Sequence, residues 1–193
     1  MKSRTLLLLP FLLALAGCKS APPTKYYTLN METSGRAQTP VNVVVSRVQV
    51  GEALSRRDIM IKQSPTQVEY YATNQWAAGL DELVRQKLQE EFGVPREGRP
   101  GLVLIATLLA CEQIDVPGGA DARVKLTAEL RREEASRYDA PLLTKIYEAR
   151  KKADTERPAD VVQALSDLIE KIAEEIAQDT AALKIEEGAN GTS

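Results

Sequence analysis

The chain has 193 residues, a formal net charge of −2, two cysteines and no histidine. With 44% hydrophobic residues it can fill the core of one domain. The lack of histidine excludes Ser-His-Asp and Cys-His catalysis and removes the commonest metal ligand, and 5% aromatic content without any basic block argues against nucleic-acid binding.

The first 18 residues read as an export signal. Met1-Lys2-Ser3-Arg4 is a short positive segment, Thr5 to Leu15 is apolar and Leu-rich, and Leu15-Ala16-Gly17-Cys18 follows. Positive, apolar and small-residue segments in that order mark a secretory signal peptide. The apolar run is shorter than the about 20 residues that span a bilayer. Leu-Ala-Gly-Cys resembles the bacterial lipobox, in which the cysteine thiol receives diacylglycerol before cleavage. Residues 1–17 are therefore expected to leave as a signal peptide, with Cys18 as the lipidation site (diacylglycerol and palmitate-type acyl chains). Loss of Lys2 and Arg4 takes the mature chain to about −4. Cys111, ending an apolar run, then has no thiol partner and reads as a small buried hydrophobe. Lys19 stands where Asp would favour inner-membrane retention. By analogy with that sorting rule, the expected location is the periplasmic face of the outer membrane.

Residues 18–24 form a short lipidated tether, extended at Pro22-Pro23. The folded domain is expected over 25–185 and a disordered polar tail over 186–193. Lys25 to Leu29 reads as a strand, 30–40 as a loop, and Val41 to Val50 as a buried strand with Val43 and Val45 on one face and Val44, Val48 and Val50 on the other. Ile59 to Lys62 and Gln67 to Tyr71 form a hairpin about Ser64-Pro65-Thr66. Thr73 or Asn74 is the expected cap of a helix whose apolar face carries Trp76, Leu80, Leu83, Val84, Leu88 and Phe92, stopped by Gly93 and Pro95. Leu102 to Val116 reads as a central strand, Pro117-Gly118-Gly119 as a turn, and Arg123 to Arg131 as a strand alternating apolar and polar residues. Leu142 to Arg150 follows as its partner, which makes a meander. Pro158 opens a long helix with apolar spacing from Val161 to Leu183. The fold class expected is α+β: a single domain with a mixed, mainly antiparallel sheet and two amphipathic helices packed on it.

No cluster of residues has the spacing of a metal, phosphate or nucleophile site, so a non-enzymatic protein without cofactor or metal is expected. The mixed-charge runs Glu129 to Glu134 and Glu148 to Lys152 read as solvated strand ends or a polar docking rim. Tyr26, Tyr27, Tyr70, Tyr71 and Trp76 form an aromatic group. Core packing is the plainer reading of that group. A partner interface is the sharper one, since Tyr and Trp are enriched at contact cores.

The lipobox, the closely following Tyr26-Tyr27-x-Leu29, the Val-rich strand running into VSRVQVGEALSRRDIMIKQ, and YYATNQWAAGLDELVRQKLQEEF together resemble the ABC-type transport auxiliary lipoproteins, the group that includes paraquat-inducible protein C. The most specific part is Leu54 through Phe92. The resemblance implies a non-catalytic auxiliary or docking component of a mammalian-cell-entry-type (MCE) ABC transport system that moves lipids across the envelope. The implied partners are an MCE protein, an ABC permease and ATPase, and a membrane held through lipid on Cys18. A homo-oligomer is left open. The alternative is a structural envelope-assembly lipoprotein with no transporter partner.

Overall fold

The structure is a computed structural model that describes residues 22–136 and 138–183. The expected signal peptide, Cys18 and the expected tail over 186–193 lie outside these residues. Seven strands and two α-helices follow in the order β1 (Lys25–Tyr27), β2 (Asn42–Val50), β3 (Asp58–Lys62), β4 (Val68–Trp76), α1 (Leu80–Phe92), β5 (Gly101–Val116), β6 (Gly119–Arg132), β7 (Leu143–Lys152) and α2 (Pro158–Ala182). The strands form one mixed sheet in the order β1-β4-β3-β5-β6-β7, with β2 beside β5. Both helices lie on one face of it. The α+β expectation of two helices on one mixed sheet holds.

The longest ladders, β5–β6 and β6–β7, are antiparallel and make the expected meander. The β3–β4 hairpin is also antiparallel, whereas β1–β4, β2–β5 and β3–β5 are parallel. β5 is the axis. β6 pairs along one of its edges. β2 pairs with Leu102 to Leu108 and β3 with Gln113 and Ile114 along the other, so β2 and β3 continue one another. The turn between β5 and β6 has two residues, Pro117 and Gly118. Gly118 has φ +79, the conformation a Pro-Gly type II turn requires at its second central position.

Alternation decides what the helices cover. Leu102, Leu104, Ala106 and Leu108 of β5 and Ala120, Ala122, Val124, Leu126, Ala128 and Leu130 of β6 are buried beneath the helices. α2 faces them with Val161, Leu165, Leu168, Ile169, Ile172 and Ile176. The alanines on β6 leave room for the helix to approach, and the leucines fill the gaps between turns. α1 lays Leu80, Leu83, Val84 and Leu88 over β2.

Two sequence expectations are corrected. Trp76 is not on a helix. β4 continues through Thr73 and Asn74 to Trp76, and α1 begins at Leu80 after Gly79, without a side-chain cap. The reason is non-local: the Trp76 N–H donates to the Arg57 carbonyl at 2.7 Å, and β1 adds a parallel partner with Tyr27 opposite Trp76. Val48 also changes face. A bulge between Val45 and Arg47 shifts the register against β5, so Val48 joins Val43 and Val45 beneath α1. Val50, opposite the buried Leu108, moves with it, and of the valines expected on the second face only Val44 remains there.

Candidate docking surface

The five aromatic residues gather along β1 and β4 but divide by burial. Trp76 is fully buried and belongs to the core. Tyr27 is half-buried, its hydroxyl donating to Asn74 Oδ1 at 3.1 Å across the β1–β4 pair. Tyr71 reaches toward α2, with its hydroxyl 2.6 Å from Gln113 Oε1 and 3.2 Å from the Glu156 carbonyl. Burial pushes that hydroxyl above its ordinary pKa. Tyr70 donates to the Ala53 carbonyl at 3.0 Å, and the Arg56 guanidinium stacks 4.3 Å from its ring centroid. Tyr26 is 63% exposed. The group is thus a graded edge: Trp76 anchors it from within, Tyr27, Tyr70 and Tyr71 are half-buried against the core and brace it, and Tyr26 is offered outward.

A buried charged node, not foreseen in the sequence, holds this half of the molecule together. Lys87 on α1 is fully buried, and its Nζ donates to Glu91 Oε1 and Glu170 Oε1 at 2.7 Å each and to the Glu32 carbonyl at 2.6 Å. All three ammonium donors are therefore used. Glu91 also accepts from the Ser34 N–H and hydroxyl, the latter at 2.6 Å. Burial alone would raise the Glu91 carboxyl, but the Lys87 and Ser34 hydrogen bonds outweigh it and hold its pKa below the ordinary carboxylate range. The node pins the 30–36 segment to both helices. The sequence signal was present as Lys87 and Glu91 at i,i+4, which reads equally well as a surface pair.

Gln89 performs a related task at the edge of β2. Its Oε1 accepts from the Val45 N–H at 2.9 Å and its amide donates to the Val43 carbonyl at 3.4 Å, so a side chain covers ladder groups that another strand could otherwise use.

The sheet face away from the helices carries the mixed-charge runs. Arg123 bonds Glu148 at 2.9 Å and Glu112 at 3.2 Å, Lys125 bonds Glu148 at 2.9 Å, Arg150 bonds Asp121 at 2.6 Å, and Arg131 pairs with Glu129. Between these pairs lies an apolar strip in which Leu109 is 47% and Ile146 57% exposed. Burial pushes the Glu112 carboxyl up, against the pull of Lys62 and Arg123. Of the surface clefts, the one of about 680 Å³ is lined mainly by charged residues, including Arg36, Arg150, Lys151, Asp167, Glu170 and Lys171. This lining does not suit a lipid tail.

The comparisons with known proteins bear on this same half. The sequence model of the family described as ABC-type transport auxiliary lipoprotein component matches residues 27–99, from β1 through α1 and the loop after it. The chain is similar to the ABC-type transport auxiliary lipoproteins. The match holds Tyr27, Tyr70, Tyr71, Trp76, Lys87, Gln89 and Glu91. The fold is shared more widely. The crystal structure of protein XCC0632 from Xanthomonas campestris superposes with a TM-score of 0.65 at 11% identity, covering 82% of this chain and 96% of that one. A crystal structure of an uncharacterized protein gives 0.62 at 16% identity, covering 82% and 99%. At such identities these two establish the architecture alone. No curated protein sequence matches significantly.

Proposed function

We propose that this protein is a lipid-anchored, non-catalytic auxiliary component of an ABC-type transport system in the bacterial envelope. The observation that carries the reading is the family match over residues 27–99. It coincides with the half of the fold in which an aromatic edge, a buried charged node and a side-chain-covered strand edge fix a defined outer surface. The finer reading follows the same line. The anchor is lipid on Cys18, the location is the periplasmic face of the outer membrane, and the partner is an MCE protein working with a permease and ATPase to move lipids. On this reading the domain receives the partner.

Two measurements test it. Co-purification of the intact, lipidated chain from native membranes is expected to bring down transporter components, and an MCE protein among them supports the finer reading. Recovery of the lipoprotein without any transporter component would contradict it. Cys18→Ala is expected to release a folded domain from the membrane fraction. Retention of that variant after a salt wash would reject the lipid anchor.

A further inference from the structure

We infer that the tether-proximal edge of the sheet is a membrane-contact patch that seats the anchored domain on an anionic lipid surface through Lys25, Arg56 and Arg57, with Tyr26 at the contact. This inference rests on the Cys18 anchor of the proposed function and adds an orientation to it.

Length comes first. Six residues lie between Cys18 and Lys25, seven steps along the chain, and an extended chain advances about 3.3–3.6 Å per step. β1 is therefore held within about 25 Å of the anchoring leaflet. β1 lies at the sheet edge, so the edge itself, rather than a loop remote from it, is what the tether delivers.

Placement comes next. Tyr26 pairs with Gln75 of β4, and Gln75 pairs with Asp58 of β3, so the residues preceding Asp58 lie near this end of the edge, separated from β1 by one strand. Arg56 lies 3.5 Å from Asp58 and against the ring of Tyr70, with its side chain 58% exposed. Arg57 is exposed, and its guanidinium donates to the Ala77 carbonyl at 3.0 Å. The Ala77 N–H in turn donates to the Tyr27 carbonyl, which places Arg57 at the end of β1. Lys25 is exposed on β1 itself.

Charge decides the orientation. The mature chain is acidic as a whole, near −4, and an anionic leaflet repels most of its surface. At the tether-proximal edge three cations, Lys25, Arg56 and Arg57, stand against two carboxylates, Asp58, which Arg56 engages, and the exposed Glu52 beside Ala53. Basic residues beside a membrane anchor are drawn to anionic headgroups over about a Debye length. Tyrosine suits the headgroup layer, with an apolar ring and a polar tip. Tyr26 is the exposed aromatic next to the tether.

The test uses the mature chain coupled through Cys18 to maleimide-bearing lipid in vesicles. Cys111 is buried, and burial pushes its thiol up to about 12, so Cys18 is the reactive cysteine. Tyr26→Trp reports contact through quenching by brominated lipid, and native Trp76 is shielded. Quenching is expected to be stronger on vesicles containing phosphatidylglycerol than on phosphatidylcholine alone. Each of Arg56→Gln and Arg57→Gln is expected to shift the docked-to-undocked ratio roughly fivefold toward undocked, and high salt is expected to do the same. Thermal unfolding by circular dichroism confirms that the variants fold. Equal quenching on both vesicle types, or quenching unaffected by either Gln change, would overturn the inference. So would Ile146→Trp, on the open face, being quenched in place of Tyr26→Trp. Because coupling supplies the anchor, a negative result rejects the patch without touching the native lipid anchor, which Cys18→Ala tests separately.

Discussion

The two faces of the sheet use the same strands in opposite ways. Along β6 the inward residues Val124, Leu126, Ala128 and Leu130 are fully buried, while the outward residues Arg123, Lys125, Thr127 and Glu129 are partly exposed and mostly ion-paired. The helix-covered face draws its stability from close packing, where each methylene counts. The open face draws little, because exposed ion pairs in water are worth about 0–1 kcal/mol. The covered face should therefore resist substitution, while the open face remains available for solubility or contact.

The node of Lys87 buries a charge in the covered side and should give the largest effect. Lys87→Ala leaves Glu91 and Glu170 facing one another without their cation, an expected loss of about 3–5 kcal/mol in urea unfolding. A loss near that of a surface change would mean that water replaces the ammonium and that the node does not clamp the helices.

Leu126→Ala opens a cavity under α2 and should cost about 2–5 kcal/mol. The companion change on the next strand, Ile146→Ser on the open face, should stay within about 0.5 kcal/mol of wild type. Similar costs for the two would erase the distinction between the faces and imply that something covers the open one.

Acid should act on the covered side with a definite sign. The folded-state pKa of Glu91 lies below its unfolded value. Its contribution is present above the ordinary carboxylate range and is lost as pH falls through the depressed folded value. Glu91→Gln should thus flatten the acid limb of a stability-versus-pH curve. Glu112, whose carboxyl is raised by burial, has the opposite sign: its effect on stability worsens as pH rises through the window above the ordinary value. Glu112→Gln should leave the acid limb in place.

The smallest effect concerns reactivity. Cys111, buried with its thiol raised to about 12, should stay unmodified by a thiol reagent in the folded protein and react on unfolding. Prompt labelling of the native domain would show that the covered face opens easily.

The sequence revealed what period and punctuation encode. The alternation in β6, the Pro-Gly turn, the Pro158 start of α2 and the meander of three strands are all local patterns, and the structure follows them. What it concealed depends on partners far along the chain. Trp76 sits at helical spacing before Leu80, yet Arg57 and Tyr27 draw it into a strand. Val48 looks outward until a bulge turns it inward. Lys87 and Glu91 look like a surface pair until Glu170 and the Glu32 carbonyl close around them. The aromatic group was legible as a list of residues but not as an edge, because exposure separates Tyr26 from Trp76 only once β1 is laid beside β4.

The central claim is that the domain's work is to hold a transport partner at the membrane. The most direct measurement is crosslinking of the intact lipoprotein in native membranes, followed by identification of what is attached. The account predicts crosslinks from the β1–α1 half to a component of an ABC-type transport system, an MCE protein foremost. Crosslinks confined to cell-wall or outer-membrane assembly factors, with no transporter component among them, would contradict it.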